Sequence, residues 1–325
     1  MDPRNPDATL SAKLEVLEAL QDTVGTLLQQ HESRRELWWP SDLVDQFDSE
    51  DTAAGFPVLR ERARGLPPEC RIALALNLAT EEGLPHFHRL IATYLGDNSN
   101  WREWQNLWTA EEDRHGAVLH DYCRITRILD AQAVDRLKFD YLRSGFYPHW
   151  ERDPYRILVY TSLQERATQR SHARTGRLCG NYEPLISNIL EKVTADEARH
   201  FTFYQQAFAR IIELDPDQAL VSALEVVPGL EMPGIGMPGF SEFAEVVRRA
   251  GIYGPREYLQ IVEGQLKSWK IDALTGLSAV GRVAQEKLMA VPDRLRRIAD
   301  IMERRRNSRT FSFDLLWGKK FALEG

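Results

Sequence analysis

Cysteine is scarce in this 325-residue chain, which holds only Cys70, Cys123 and Cys179. Three thiols, odd in number and far apart, build neither a disulfide framework nor a paired-cysteine zinc site. Long apolar runs are missing too, and no stretch approaches the roughly 18 residues of a membrane span. Positive charge is not in excess: 41 Lys and Arg face 48 Asp and Glu, a formal net charge of −7. That balance excludes a general nucleic-acid binder, because phosphate affinity needs surplus cations. Fixed-period repeats, low-complexity tracts and a GxGxxG nucleotide fingerprint are absent as well. The opening MDPRNPDATL lacks the basic-then-apolar order of a secretory signal and the Arg/Ser bias of a transit peptide. A soluble, cytoplasmic globular protein is expected.

What the chain has is helical periodicity. Hydrophobic residues make up 43% and charged ones 27%, enough to bury a core. Leu14, Leu17, Leu20, Val24, Leu27 and Leu28 form the stripe of an amphipathic helix. Similar stripes run through about 67–94, 99–125, 153–179 and 182–213, each longer than an ordinary helix. Turn chemistry interrupts them at Leu95-Gly96-Asp97-Asn98 and at Gly145-Phe146-Tyr147-Pro148. Long facing stripes in one chain predict a bundle, with a core over about 67–213. The segment Val226–Phe240 alternates Pro228, Pro233 and Pro238 with glycines and reads as a long loop. Helical patterning resumes near Ser241, and Thr310–Leu323 reads as two short strands around Gly318. The region 241–325 therefore adds C-terminal helices and a hairpin to a single domain spanning 1–325.

Two segments repeat one pattern. Glu111-Glu112-Asp113-Arg114-His115 and Asp196-Glu197-Ala198-Arg199-His200 each carry Glu-x-x-His behind an acidic residue, 85 residues apart within helical stretches. Residues i and i+3 share a helix face, so each pair can offer a carboxylate oxygen and an imidazole nitrogen to one point. A dinuclear metal site needs about four carboxylates and two imidazoles, drawn from four helices. The sequence offers two further glutamates, one in Thr80-Glu81-Glu82-Gly83 and one at Glu165. Spacing alone does not choose between Glu81 and Glu82, since neighbours differ by about 100° around a helix.

These residues lie in ATEEGLP (79–85), WTAEEDRHG (108–116), YTSLQERAT (160–168) and ADEARH (195–200). WKIDALTGLSAVGRVAQ (269–285), RLRRI (294–298) and FSFDLLWGKKFAL (311–323) follow. Together, from about residue 12 to the end, they resemble the soluble acyl-carrier-protein desaturases, the plant stearoyl-carrier-protein desaturases and their bacterial relatives. The resemblance implies an all-α, ferritin-like di-iron helical bundle with extra helices and a small C-terminal β-hairpin. It implies Glu81, Glu112, His115, Glu165, Glu197 and His200 as ligands of two iron ions, with manganese as a possible substitute. It further implies oxygen-dependent desaturation of a fatty acyl chain on acyl carrier protein, a ferredoxin as electron donor, and a homodimer.

By the same resemblance Trp38 passes electrons inward, Asp196 hydrogen-bonds a ligating histidine (His115), and Thr168 stands near the oxygen-binding face. The acyl tunnel's deep wall falls on Leu90, Ile91 and Tyr94, and on Ile157 and Leu158. The plant enzymes generally have glycine at the position of Ile157 and a smaller apolar residue at that of Tyr94. Bulk there predicts an acyl preference shorter than stearoyl. For an acidic carrier the candidate surface is 293–309, with Arg294, Arg296, Arg297, Arg304, Arg305, Arg306 and Arg309 against Asp293, Asp300 and Glu303. Lys267 and Lys270 extend it. The other histidines, including His31, His88 and His172, receive no metal role. Rival readings are a hydroxylase or oxidase on the same fold and a non-catalytic, ferritin-like metal store. A radical-generating reductase subunit usually has tyrosine where this chain has Leu119.

Overall fold

The computed structural model describes residues 6–44, 55–95, 99–305 and 307–324. The expected break at 96–98 and Arg306 of the basic segment lie outside them. In chain order the helices are α1 (Pro6–Ala19), α2 (Gln21–Arg34), α3 (Pro40–Val44), α4 (Gly55–Arg64), α5 (Pro68–Glu81), α6 (Leu84–Leu95), α7 (Ser99–Thr126), α8 (Ala131–Ser144), α9 (Pro154–Gly180) and α10 (Pro184–Leu214). Then follow α11 (Pro216–Val226), α12 (Phe240–Arg249), α13 (Pro255–Ser268), α14 (Ala279–Arg304) and the strands β1 (Arg309–Phe313) and β2 (Lys319–Leu323). Among the described residues no helix is long and apolar enough to cross a membrane.

Local chemistry sets the starts of the long helices. Asp153 caps α9 by accepting from the N–H groups of Tyr155 and Arg156, and Glu183 caps α10 through Leu185 and Ile186. Each acid is followed by proline at the first helical position, where a missing N–H costs nothing. Asp215-Pro216 opens α11 in the same way.

The stripe at 67–94 is two helices, because α5 ends at Glu81 and α6 begins at Leu84. Gly83 lies in the corner: a Cβ there would stand 2.5 Å from the Tyr141 ring. The stripe from Leu14 to Leu28 is likewise divided, at Leu20. The Thr310–Leu323 hairpin forms as expected, antiparallel with Phe311 opposite Phe321. Its Phe313 packs on Phe243 at 4.7 Å between ring centres, and Leu315 O accepts from Asp130 N at 2.9 Å.

Helices α5, α7, α10 and α9 form a ring of neighbours, with α9 lying along α10. Their apolar cores are interrupted at mid-length. On α10 the residues Leu185–Val193 belong to one hydrophobic cluster and Phe203–Ile212 to the other. On α7 the division falls between Trp108 and Val118. Polar, buried residues fill the layer between. Helix α2 covers α7 and α10, while α14 packs on α11 and α13.

Candidate metal centre

The polar layer holds all six residues that the motifs point to. Glu81 comes from the last turn of α5, Glu112 and His115 from α7, Glu165 from α9, and Glu197 and His200 from α10. All are buried. They fall into two overlapping quartets, Glu81, Glu112, His115, Glu197 and Glu112, Glu165, Glu197, His200, each with ligand atoms within 4.8 Å of one another. Glu112 and Glu197 belong to both. Of the two residues that spacing left open, Glu81 joins a quartet, whereas Glu82 turns away, paired with His120 at 3.0 Å and with Lys138.

Both histidines present the same nitrogen. His115 Nδ1 lies 3.4 Å from Glu112, 3.7 Å from Glu197 and 3.8 Å from Glu81. His200 Nδ1 lies 2.8 Å from Glu112 and 3.5 Å from Glu165. Their Nε2 atoms point outward, to Asp196 at 3.3 Å and Glu111 at 2.8 Å respectively. Each carboxylate accepts a hydrogen bond from Nε2–H, which leaves Nδ1 as the nitrogen that would offer its lone pair to a cation at the centre. His115 Nδ1, His200 Nδ1, Glu112 Oε1 and Glu165 Oε2 are buried without a hydrogen-bond partner. Buried polar atoms are rarely left so, and a cluster of orphaned ligand atoms aimed at one another fits a pair of cations.

Electrostatics agree. Burial and the charges of Glu112, Glu165 and Glu81 push the Glu197 carboxyl well above its usual range. Burial also raises Glu165, helped by Glu112. Burial works against a charge on His115, but Glu112 and the bond to Asp196 prevail and raise it to about 10. Without a cation, the cluster must hold protons to limit its own repulsion.

Asp196 is itself held by three further groups. Trp38 Nε1 donates to its Oδ2 at 2.9 Å, Arg114 Nη2 donates at 3.1 Å, and Arg199 pairs with Oδ1. The Trp38 and His115 rings are parallel, with centres 6.2 Å apart. Thr168 donates to Glu197 Oε2 at 2.7 Å. Three contacts carry no sequence expectation: Trp108 Nε1 to Glu165 at 3.0 Å, His172 Nε2 to Glu81 at 2.8 Å, and His31 Nε2 to Glu111 at 2.9 Å. Spacing could have found two of them, since Trp108 precedes Glu112 by one turn and His172 follows Thr168 by one. His88 bonds Thr109 at 2.9 Å and stays outside the ligand set.

An apolar cavity of about 630 Å³ leads from the surface to Thr80, Thr168 and His172. Its walls include Met232, Pro233 and Ile235 of the proline–glycine loop, Phe240 and Tyr258, and Ile298 and Met302 of α14. Beyond it a space of about 20 Å³ lies between Glu81, Phe87, Trp108, Glu112, Thr168 and Pro233. Leu90, Ile91, Ile157 and Leu158 are packed in the adjoining core, and the Tyr94 hydroxyl donates to Arg152 O at 2.9 Å. None of these five lines the 630 Å³ cavity.

The sequence family described as fatty acid desaturase matches residues 12–317. The chain belongs to that family. It is 34% identical over 310 residues to the stearoyl-[acyl-carrier-protein] 9-desaturase 1 of Oryza sativa subsp. japonica, covering 90% of this chain and 81% of the relative. It is 31% identical over 328 residues to the acyl-[acyl-carrier-protein] desaturase of Cucumis sativus, covering 96% and 83%. The X-ray structure of DesA2 from Mycobacterium tuberculosis superposes with a TM-score of 0.57 at 21% identity, over 79% of this chain and 95% of that one. At that identity the superposition speaks for the shared helical fold, and the desaturase family membership rests on the sequence match.

Proposed function

We propose that this desaturase-family enzyme introduces a double bond into a fatty acyl group carried on an acyl carrier protein, with two iron ions, dioxygen, and electrons from a ferredoxin. The observation that carries the proposal is the pair of overlapping quartets sharing Glu112 and Glu197. Glu81, Glu112, His115, Glu165, Glu197 and His200 would hold the two ions; manganese suits the same oxygen and nitrogen donors. The bound metal pair would supply, from dioxygen, the oxidising power that an unactivated methylene requires and no side chain possesses.

The protein's own part is to bind, orient and keep dry. The apolar cavity suits a fatty chain and gives a storage protein no purpose. Thr168 is common to the cavity wall and to the ligand contacts, holding its hydroxyl proton on Glu197. Asp196 and Glu111 fix the histidine tautomers. Trp38, backed by Arg114 and hydrogen-bonded to Asp196, offers a route inward for electrons.

Near the cavity wall formed by Ile298 and Met302, Arg294, Arg297 and Arg304 of α14 and Arg305 just past its end are exposed. The acids of that segment are already engaged: Asp300 and Glu303 with Arg256, and Asp293 with Arg296. Surplus positive charge therefore faces an acidic carrier. An acyl chain shorter than stearoyl belongs to the same proposal, on the bulk of Ile157 and Tyr94 where the plant enzymes generally have smaller residues. A homodimer and a cytoplasmic setting complete the reading.

The test is anaerobic iron loading, then reaction with acyl carrier protein substrates, ferredoxin and oxygen, followed by mass spectrometry. Loss of two hydrogens is expected. Gain of one oxygen would make the enzyme a hydroxylase, and an unchanged substrate would overturn the proposal.

A further inference from the structure

Glu111 is a buried carboxylate outside the ligand set, and two imidazoles meet on one of its oxygens. Oε2 accepts from His200 Nε2 at 2.8 Å and from His31 Nε2 at 2.9 Å. His31 comes from α2, far from the metal-binding helices in sequence, yet it is 5% exposed. Its ring lies nearly parallel to that of His200, with centres 5.8 Å apart and planes at 16°. It also meets Trp104 edge-on at 5.1 Å, and Trp104 meets His200 edge-on at 6.1 Å. Arg35, just past the end of α2, brings Nη1 within 3.5 Å of Glu111 Oε1.

A carboxylate with one partner can rotate and let that partner's ring follow. With a second donor on the same oxygen and a guanidinium beside the other, it is pinned. Asp196, held by Trp38, Arg114 and Arg199, is pinned behind His115 in the same manner. The two halves of the centre thus have matching supports, built from unrelated residues.

We propose that His31 is a positioning residue for His200: by anchoring Glu111 it fixes the ring orientation and tautomer that aim Nδ1 at the metal site. This rests on the metal-centre reading and not on the identity of the substrate. Outer groups of this kind commonly change metal affinity by about 10- to 100-fold when removed.

The experiment uses the full-length protein loaded with cobalt(II), whose paramagnetism shifts the exchangeable N–H protons of ligating imidazoles. Two such proton resonances are expected, one from His115 and one from His200. His31→Phe keeps the ring stack and removes the donor. It should move the His200 resonance, speed its exchange with water and weaken cobalt binding roughly 10-fold, leaving the His115 resonance in place. His31→Gln restores a donor at similar reach and should return the resonance toward its original position. Should the Phe variant fail to fold, judged by helix content and melting, His31→Leu replaces it. An unmoved His200 resonance, or a folded Gln variant as disturbed as the Phe variant, overturns the proposal. Absence of both resonances from the unsubstituted protein overturns the metal centre, and this proposal with it.

Discussion

Glu112 on α7 turns Oε1 toward His200 and Oε2 toward His115, so a single carboxylate spans the two histidines of the centre. Glu197 is the other residue common to both quartets, whereas Glu81 and Glu165 each belong to one. Glu112→Ala and Glu197→Ala are expected to lose both ions, while Glu81→Ala keeps one. Metal analysis after iron loading reads the difference, and the same stoichiometry in all three variants would contradict the shared role. Turnover should vanish in Glu112→Ala and in His200→Ala.

Metal uptake should release protons. In the metal-free site burial and neighbouring charge favour the protonated form of Glu197, and His115 is raised to about 10. Only the deprotonated forms coordinate, so affinity rises with pH and falls on acidification. Calorimetry in buffers of different ionisation enthalpy should report net proton release at about pH 7. Affinity that stays flat between about pH 6 and pH 8 would count against the assignment.

Trp38→Phe retains a ring beside His115 and removes the N–H that binds Asp196. Metal content should be unchanged, and turnover driven by a protein electron donor should fall roughly 10-fold. A single turnover of chemically reduced protein should be far less affected. Equal losses in the two assays would remove Trp38 from the electron route.

Acyl-chain preference tests whether the far end of the chain runs past the 630 Å³ cavity toward the core around Ile157 and Leu158, both fully buried. Across carrier-bound chains from octanoyl to stearoyl, the best substrate should be shorter than stearoyl. Ile157→Ala should move the optimum to longer chains at a stability cost of about 2–5 kcal/mol. A wild-type optimum at stearoyl would defeat the expectation.

Gly83 sits immediately beyond Glu82, where the chain turns beneath the Tyr141 ring. A methyl group there would overlap the ring, 2.5 Å from its nearest atom. Gly83→Ala is expected to cost about 1–3 kcal/mol in denaturant unfolding. It should also weaken metal binding through displacement of Glu81; a variant as stable as the parent would mean that the corner relaxes freely.

Much of the side-chain cluster could be read from the amino-acid order, because its candidate ligands obey helical arithmetic. Glu112 with His115, and Glu197 with His200, are i and i+3 pairs, and a long amphipathic stripe fixes which way they face. Thr168 and Trp108 stand one turn from ligands and share that logic. What the order concealed depends on contacts between helices. Glu111 and Glu112 are adjacent and both acidic, and only the approach of α2 shows that one binds outward to His31 while the other faces the centre. The proline–glycine segment was legible as a non-helical connection. Its place as a cavity wall came from packing against α14, which no local pattern encodes.

Pro233 forms part of the wall of both the large cavity and the small space beside Glu112. Thr80 and Thr168 border both spaces as well, so the boundary joins the loop to residues beside Glu81 and Glu197. Pro233 itself offers no ligand atom, so a change of its size alters the boundary while leaving all six candidate ligands in the chain. The shape that admits a molecule and the groups that would act on it therefore meet at three side chains, Thr80, Thr168 and Pro233.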